Sequence, residues 1–401
     1  MKASAPARLI ADRQSLQALC DELRGEPILG LDTEFIREKS YIPKLELVQV
    51  STPGGLAAAI DYGTLGRFED DPFVAILKDP GVLKVFHAAD QDLEMFHLLS
   101  GEVIGPIWDT QLVAGLFGYT GRTGYAAVVE NMIGKKPTKG ETLTDWSQRP
   151  LTPEQLNYAL EDVRYLLPLY EYEREALDRL GRLAWAEEEC DRLRKQVAHN
   201  IACRAEDETL YQRVRGGASL DRRQLAILRE LAIWREEEAY QRNRPRGAVM
   251  KDELLVEIAR RGPNQPHQLK AIRSMHPRDL DRYGEDLIAA VKDGKAVPAD
   301  QCPVPQAPGP MLNEAELALV SLLQAVLQSV AVEKQVSPTL VSTVGELQRL
   351  VEAYMRGKAE DSPVLSSWRG ELVGKDLLGI LEGKRSVAWD PKNEAIRVEN
   401  R

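Results

Sequence analysis

Cysteine is scarce in this 401-residue chain: Cys20, Cys190, Cys203 and Cys302 are the four present, widely spread and without a Cys-x-x-Cys pair. That excludes a zinc ribbon and a disulfide scaffold and fits a reducing compartment. A secretory leader is not in evidence either. The opening residues turn polar at Asp12-Arg13 before an apolar segment can form, so a cytoplasmic protein is expected. Long apolar runs are missing too. The most apolar stretch, Leu317 to Val332, carries Ser321, Gln324, Gln328 and Ser329 as a stripe along one helix side. It also falls short of the roughly 20 residues a span requires, so no membrane partner is expected. Positive charge is lacking overall: 52 Lys and Arg against 62 Asp and Glu leave a net charge of −10. Nucleic-acid binding would therefore need local basic patches. What the chain has is core material, with 43% hydrophobic and 28% charged residues, which excludes wholesale disorder. At about 150 residues per domain, two to three domains are expected.

Two composition breaks divide the sequence. Five prolines, Pro298, Pro303, Pro305, Pro308 and Pro310, mark a stiff, extended linker over residues 296–310. A softer break lies near Glu206 to Gly217, which gives blocks 1–205, 206–295 and 311–401. The first block alternates. Strands are expected at Ile28 to Phe35, Leu45 to Val50, Leu56 to Ile60, Leu83 to Phe86 and Ile107-Trp108. Helices are expected at Phe73 to Leu77, Asp90 to Leu99 and Thr110 to Phe117. Hairpin-linked strands followed by helix-linked ones predict a mixed sheet flanked by helices. Thr152-Pro153-Glu154-Gln155 starts a helix, with a Thr cap, Pro in the first turn and Gln three residues on. This helix should reach at least Leu167, with Pro168 as a kink. The last two blocks read as all-helical. They share a Gly-x-Asp-Leu pattern at Gly284 to Ile288 and Gly374 to Leu378, as in a duplication.

Asp32 and Glu34 flank Thr33 at the end of the first strand, whose period of two turns both carboxylates to one face. Hard divalent cations such as Mg²⁺ or Mn²⁺ take such oxygen ligands, with Zn²⁺ left open. A solvated strand end is the alternative. Leu29, Leu31 and Phe35 argue against it, because partial burial makes two unpaired like charges costly. Asp92 falls in the first turn of the helix that Asp90 is placed to cap, where the helix dipole alone favours an acid. Tyr158 and Asp162, four apart, share one face of the Thr152-capped helix. A tyrosine with a phenol pKa of about 10 stays protonated and can orient water; the alternative is an ordinary amphipathic helix with Tyr158 half in the core. In order, these residues form a specific constellation. Four carboxylates can hold two divalent ions about 4 Å apart, one activating water and one stabilising the leaving oxygen of a phosphodiester.

The surrounding segments resemble the ribonuclease D family of DEDD 3′–5′ exonucleases. They are Leu31 to Phe35, Val85 to Glu94, Trp108-Asp109-Thr110, Trp146-Ser147-Gln148-Arg149-Pro150-Leu151 and Tyr158 to Val163. The resemblance implies a ribonuclease H-like α/β domain and Asp32, Glu34, Asp92 and Asp162 as ligands for two metals. It places Tyr158 as the tyrosine of the family's "y" branch, and implies release of nucleoside 5′-monophosphates from RNA 3′ ends. His87 is a candidate to meet the terminal nucleotide, against a histidine satisfied by backbone. Phe35 is a candidate to stack on a base, against a core role. Asp109 reads as a helix cap, and Lys135, Lys136 and Lys139 are candidates to touch phosphates, against loop lysines that merely solvate the loop.

From Arg213 to Lys251 ten Lys and Arg face five Asp and Glu. Arg242, Arg244 and Arg246, with Tyr240 and Trp234 near in sequence, form a candidate RNA-tracking surface. Leu220 to Val291 resembles the helical domain shared by RecQ-type helicases and ribonuclease D, through Met250 to Leu255, Ile258-Ala259 and Tyr283-Gly284. Residues 311–385 look like a diverged copy, with Val373 where the first has Tyr283. The combined expectation is an α/β exonuclease domain followed by two small all-α domains. It would be a monomeric, metal-dependent exoribonuclease, and the resemblance implies tRNA precursors with 3′ extensions as substrates. A DNA-directed exonuclease and a non-catalytic RNA-binding protein are the rival readings.

Overall fold

The computed structural model describes residues 8–38, 40–121, 123–137, 144–205, 209–305 and 312–401, so Lys139, Pro308 and Pro310 lie outside the described residues. Contacts divide the chain into two units, one of residues 1–34, 46–197 and 310–401, the other of 35–45 and 198–309.

In the first unit β1 (Arg8–Ile10), β2 (Ile28–Ile36), β3 (Lys44–Ser51), β4 (Ala57–Ile60), β5 (Leu83–Phe86) and β6 (Ile107–Asp109) form one sheet. Its order is β1-β4-β3-β2-β5-β6. The sheet is mixed. β3 and β4 pair antiparallel, whereas β1 with β4, β2 with β5 and β5 with β6 pair parallel. Leu29, Leu31, Leu47, Val48, Val50 and Val85 are fully buried, as strands between helical layers must be. The flanking helices are α1 (Arg13–Leu23), α2 (Tyr62–Leu65), α3 (Pro72–Lys78), α4 (Asp90–Ser100), α5 (Thr110–Ala114), α6 (Tyr125–Ile133), α7 (Pro153–Arg164), α8 (Leu166–Arg179) and α9 (Leu183–Ala205).

Two expectations change here. β1, α1, α2 and α6 are additions, β1 being only three residues long. The helix started by Thr152 does not run to Leu167. Its capping box forms, but α7 ends at Arg164 and the chain restarts as α8 after Tyr165. Pro168 has no N–H, and its ring would meet the carbonyl of Arg164 four residues back. A break that puts Pro168 in a first turn removes both problems.

The second unit holds α10 (Arg222–Gln241), α11 (Arg246–Val249), α12 (Asp252–Arg261), α13 (Pro266–Leu269) and α14 (Pro277–Ala296) around Leu228, Leu231, Leu255, Ile258 and Leu287. α10 and α14 approach closely at Gly294, where a Cβ would sit 2.4 Å from the Ile227 Cα. Tyr41 and Ile42 pack on this block. The Tyr41 ring meets Tyr240 edge-on at 5.9 Å, and the Ile42 N–H donates to Asn243 Oδ1 at 2.9 Å. The expected linker also starts later than its composition suggests. Cys302 is buried, and its carbonyl accepts from Arg222 at 3.0 Å.

The rest of the first unit comprises α15 (Glu314–Glu333), α16 (Pro338–Val341), α17 (Val344–Met355), α18 (Ser367–Arg369) and α19 (Lys375–Leu381). Among the described residues, α15 alone is long and apolar enough to cross a membrane. Here it buries Val320, Leu323, Val326, Leu327 and Ala331 against its own block. The all-helical expectation is corrected at the end of this block. β7 (Arg385–Asp390) and β8 (Ala395–Asn400) form an antiparallel hairpin, and the Asp390 carboxylate turns the corner by accepting from the Lys392 N–H at 3.0 Å. The block docks on α9. Trp368 stacks on Trp185 at 5.0 Å and donates to Glu189 Oε1 at 2.9 Å, and Arg369 pairs with the same carboxylate at 2.6 Å.

Candidate metal centre and active site

β2 carries Asp32 and Glu34, and α7 carries Asp162. Carboxylate oxygens of these three lie within 4.8 Å of one another. Asp92, in the first turn of α4, is not in that three-residue set but borders it. It is 7% exposed and accepts a hydrogen bond from the Thr33 hydroxyl, so the residue between the two strand acids holds the helix acid. No ion pair among the described residues includes any of the four acids. Burial, then the charge of Asp162, raises Asp32 to about 8. Burial and the charges of Asp32, Asp162 and Asp92 raise Glu34 to about 9. Burial raises Asp162 to about 7, and burial with the Asp32 charge lifts Asp92 well above the carboxylate range. Hard oxygen donors crowded together with no protein cation among them fit divalent metal ions, whose charge would hold all the acids ionised.

A second carboxylate positions α4. Asp90 was expected to cap this helix, but Ala89 occupies the cap and no side chain bonds there. Instead Asp109, at the end of β6, accepts from the N–H groups of Ala88 at 3.0 Å and Ala89 at 2.9 Å. It also caps α5 through Gln111 and Leu112, as expected. Asp109 thereby secures Ala88 at φ 65°, a left-handed conformation that costs about 1–2 kcal/mol without such support.

Tyr158 faces the acids from α7, one turn before Asp162. Burial, then the charges of Asp162, Glu34 and Asp32, raises its phenol to about 12, so it keeps its proton. Its ring lies against Trp146, with centroids 6.2 Å apart and planes at 32°. His87 is turned inward: Nδ1 lies 2.9 Å from the Thr110 hydroxyl, its ring meets Tyr125 edge-on, and burial lowers its pKa to about 4. Phe35 is half-buried beneath the Arg37 guanidinium at 5.5 Å. Lys136 pairs with Glu130 at 2.9 Å and Lys135 is exposed. The expected basic surface changes most. Arg246 binds Glu236 with both arms and covers the Tyr41 ring at 5.0 Å, while Arg242 pairs with Glu238. Tyr41, far away in sequence, was the unforeseeable partner. Arg244 is exposed and takes part in no described ion pair. Thr33 and Asp109 gain their places only through spatial closure, and no spacing signal marks Thr33.

Comparison with known proteins agrees with this geometry. The 3′-5′ exonuclease family model matches residues 7–178, and the HRDC domain model matches 224–291. A ribonuclease D from Granulibacter bethesdensis is 36% identical, over 96% of this chain and 95% of its own. The chain belongs to the ribonuclease D family. Another ribonuclease D, from Pseudomonas paraeruginosa, is 37% identical over 93% of this chain and 97% of its own. The crystal structure of Escherichia coli RNase D, described as an exoribonuclease involved in structured RNA processing, superposes with a TM-score of 0.82. It is 30% identical and covers 94% of this chain and 99% of its own. This ribonuclease D family member is thus a 3′–5′ exoribonuclease with a metal-fitting acid cluster between β2 and α7.

Proposed function

We propose that the chain removes nucleotides from RNA 3′ ends as nucleoside 5′-monophosphates, with tRNA precursors bearing 3′ extensions as its cytoplasmic substrates. Asp32, Glu34, Asp92 and Asp162 would hold two divalent ions, Mg²⁺ or Mn²⁺. Such ions supply Lewis-acid stabilisation of the phosphoryl oxygens and lower the pKa of water. The supporting observation is the convergence of Asp32, Glu34 and Asp162 within 4.8 Å without a protein cation. Hydrolysis forms a bond from water oxygen to phosphorus and breaks the bond from phosphorus to O3′, which leaves as a hydroxyl. Tyr158 keeps its proton and orients the attacking water in line, and Thr33 holds Asp92 at the edge of the cluster. Arg244, with Tyr240 61% exposed beside it in sequence, offers a phosphate contact and a stacking surface in the helical block.

The test is release of mononucleotides from a 3′-labelled precursor transcript, compared with 5′-labelled material and with a matched DNA oligonucleotide. Early release of the 3′ label, abolished by EDTA, is expected. DNA cleaved as fast as RNA, or release first from the 5′ end, would overturn this reading.

A further inference from the structure

The segment Trp146 to Leu151 has no role in the chemistry so far, yet it is built with unusual care. The Arg149 guanidinium reaches Asp61 through Nε at 2.8 Å and Nη2 at 2.5 Å, and Glu46 through Nη2 at 3.3 Å. Both acids are almost wholly buried, at 2% and 1% exposed, and sit at the end of β4 and on β3. The remaining arm, Nη1, donates to the carbonyls of Trp146 at 2.6 Å and Gln148 at 2.8 Å. One side chain therefore ties the loop backbone to the sheet. Trp146, 8% exposed, packs with Leu47, Ala59, Ala159 and Leu160, and its ring bears on Tyr158. Space for the clamp is left by Gly63 in α2, where a Cβ would lie 2.2 Å from Glu46 Oε2 and 2.3 Å from Arg149 Nη2.

A bidentate arginine between two buried carboxylates is rigid and costly to disturb. Stability of the sheet alone does not require its third arm to hold two carbonyls of the loop, one of them that of the tryptophan beside Tyr158. We propose that Trp146 and Arg149 are positioning residues for hydrolysis. Arg149 fixes the loop that carries Trp146, and Trp146 fixes the ring of Tyr158, so that the phenol meets the attacking water at the right angle. This rests on the reading of Tyr158 as the water-orienting group. A misplacement of about 1 Å at such a group lowers turnover about 100-fold while leaving substrate grip intact.

The test is a double-mutant cycle in steady-state cleavage of a 3′-labelled RNA. Trp146→Leu should lower kcat by about 10- to 100-fold with KM and RNA affinity within about threefold. In a Tyr158→Phe background the same change should lower kcat no further, because both act through one hydroxyl. Trp146→Phe should recover kcat to within about threefold. Gly63→Ala, whose Cβ would press on Glu46 Oε2 and the Arg149 guanidinium and so loosen the clamp without altering a loop residue, should reproduce the kcat-selective loss and decides the matter should Trp146→Leu fail to fold. Losses that multiply with Tyr158→Phe, or Gly63→Ala at full kcat, would overturn the proposal while leaving the Tyr158 reading intact. Full activity in Tyr158→Phe alone would instead remove the reading on which it rests.

Discussion

The acid cluster of the exonuclease domain and the first helical block treat charge in opposite ways. On β2 and the facing turn of α7, Asp32, Glu34 and Asp162 are pressed together with no cation from the protein. In the helical block, Arg235 is buried against Asp252 at 2.6 Å, Arg246 is held by Glu236, and Arg223 caps the end of α14 through the carbonyls of Gly294, Lys295 and Val297. Compensated charge is what stability asks of a fold, and uncompensated burial opposes it. The acids therefore point to a ligand, whereas most of the arginines point to architecture. Counting charges along the sequence inverted this for Arg246, because its clamp involves Tyr41 from far away in the chain.

The sharpest way to break the contrast is to relieve the acid cluster. Asp32→Asn should reduce mononucleotide release by about 10³-fold or more while RNA affinity stays within about threefold. The same change should raise the melting temperature of the metal-free protein, since the cost of burying or protonating that carboxylate is gone. Parallel kinetics and thermal scans in EDTA check both halves, and a lower melting temperature would mean that the acids are structurally compensated. On the other side, Arg235→Ala removes the buried partner of Asp252 and of the Met250 carbonyl and should destabilise the helical block by about 2–3 kcal/mol in urea unfolding. A cost below about 0.5 kcal/mol would make Arg235 an ordinary surface charge.

Acidity offers a finer probe. Asp32, Glu34 and Asp162 have folded-state pKa values raised to about 8, 9 and 7. The folded metal-free protein thus binds protons that the unfolded chain releases near pH 4. Its stability should fall as pH rises from about 4 towards 9. Thermal scans in EDTA should show a drop of about 3 °C or more across that window, a slope flattened in Asp32→Asn and by added Mn²⁺. The smallest expected effect is on RNA. Arg244→Ala should weaken binding about two- to fivefold and reduce the salt dependence by about one phosphate contact, as measured by fluorescence anisotropy. Arg246→Ala should act mainly on stability.

The strands β2 to β6 were legible because buried strands read as short apolar runs bounded by turn residues. β1 was not, because three residues carry no period, and the β7–β8 hairpin was hidden behind a helical pattern that dominates its block. The break at Tyr165 could have been derived from Pro168 alone. Asp32, Glu34, Asp92 and Asp162 were legible as residue types in order. Their crowding, the Thr33 bond to Asp92 and the Asp109 support of Ala88 were not, because each joins elements whose separation only the closed sheet determines. Arg149 shows the same limit: its segment was visible, but Glu46 and Asp61 as its seat were not.

Calorimetric titration of Mn²⁺ into the metal-stripped protein at pH 7.5, with a nucleoside 5′-monophosphate present, addresses the acid cluster most directly. Saturable binding that approaches two ions per chain and is lost in Asp32→Asn and Asp162→Asn is the predicted result. No saturable binding, or equal binding by the two variants, would contradict a metal centre between β2 and α7.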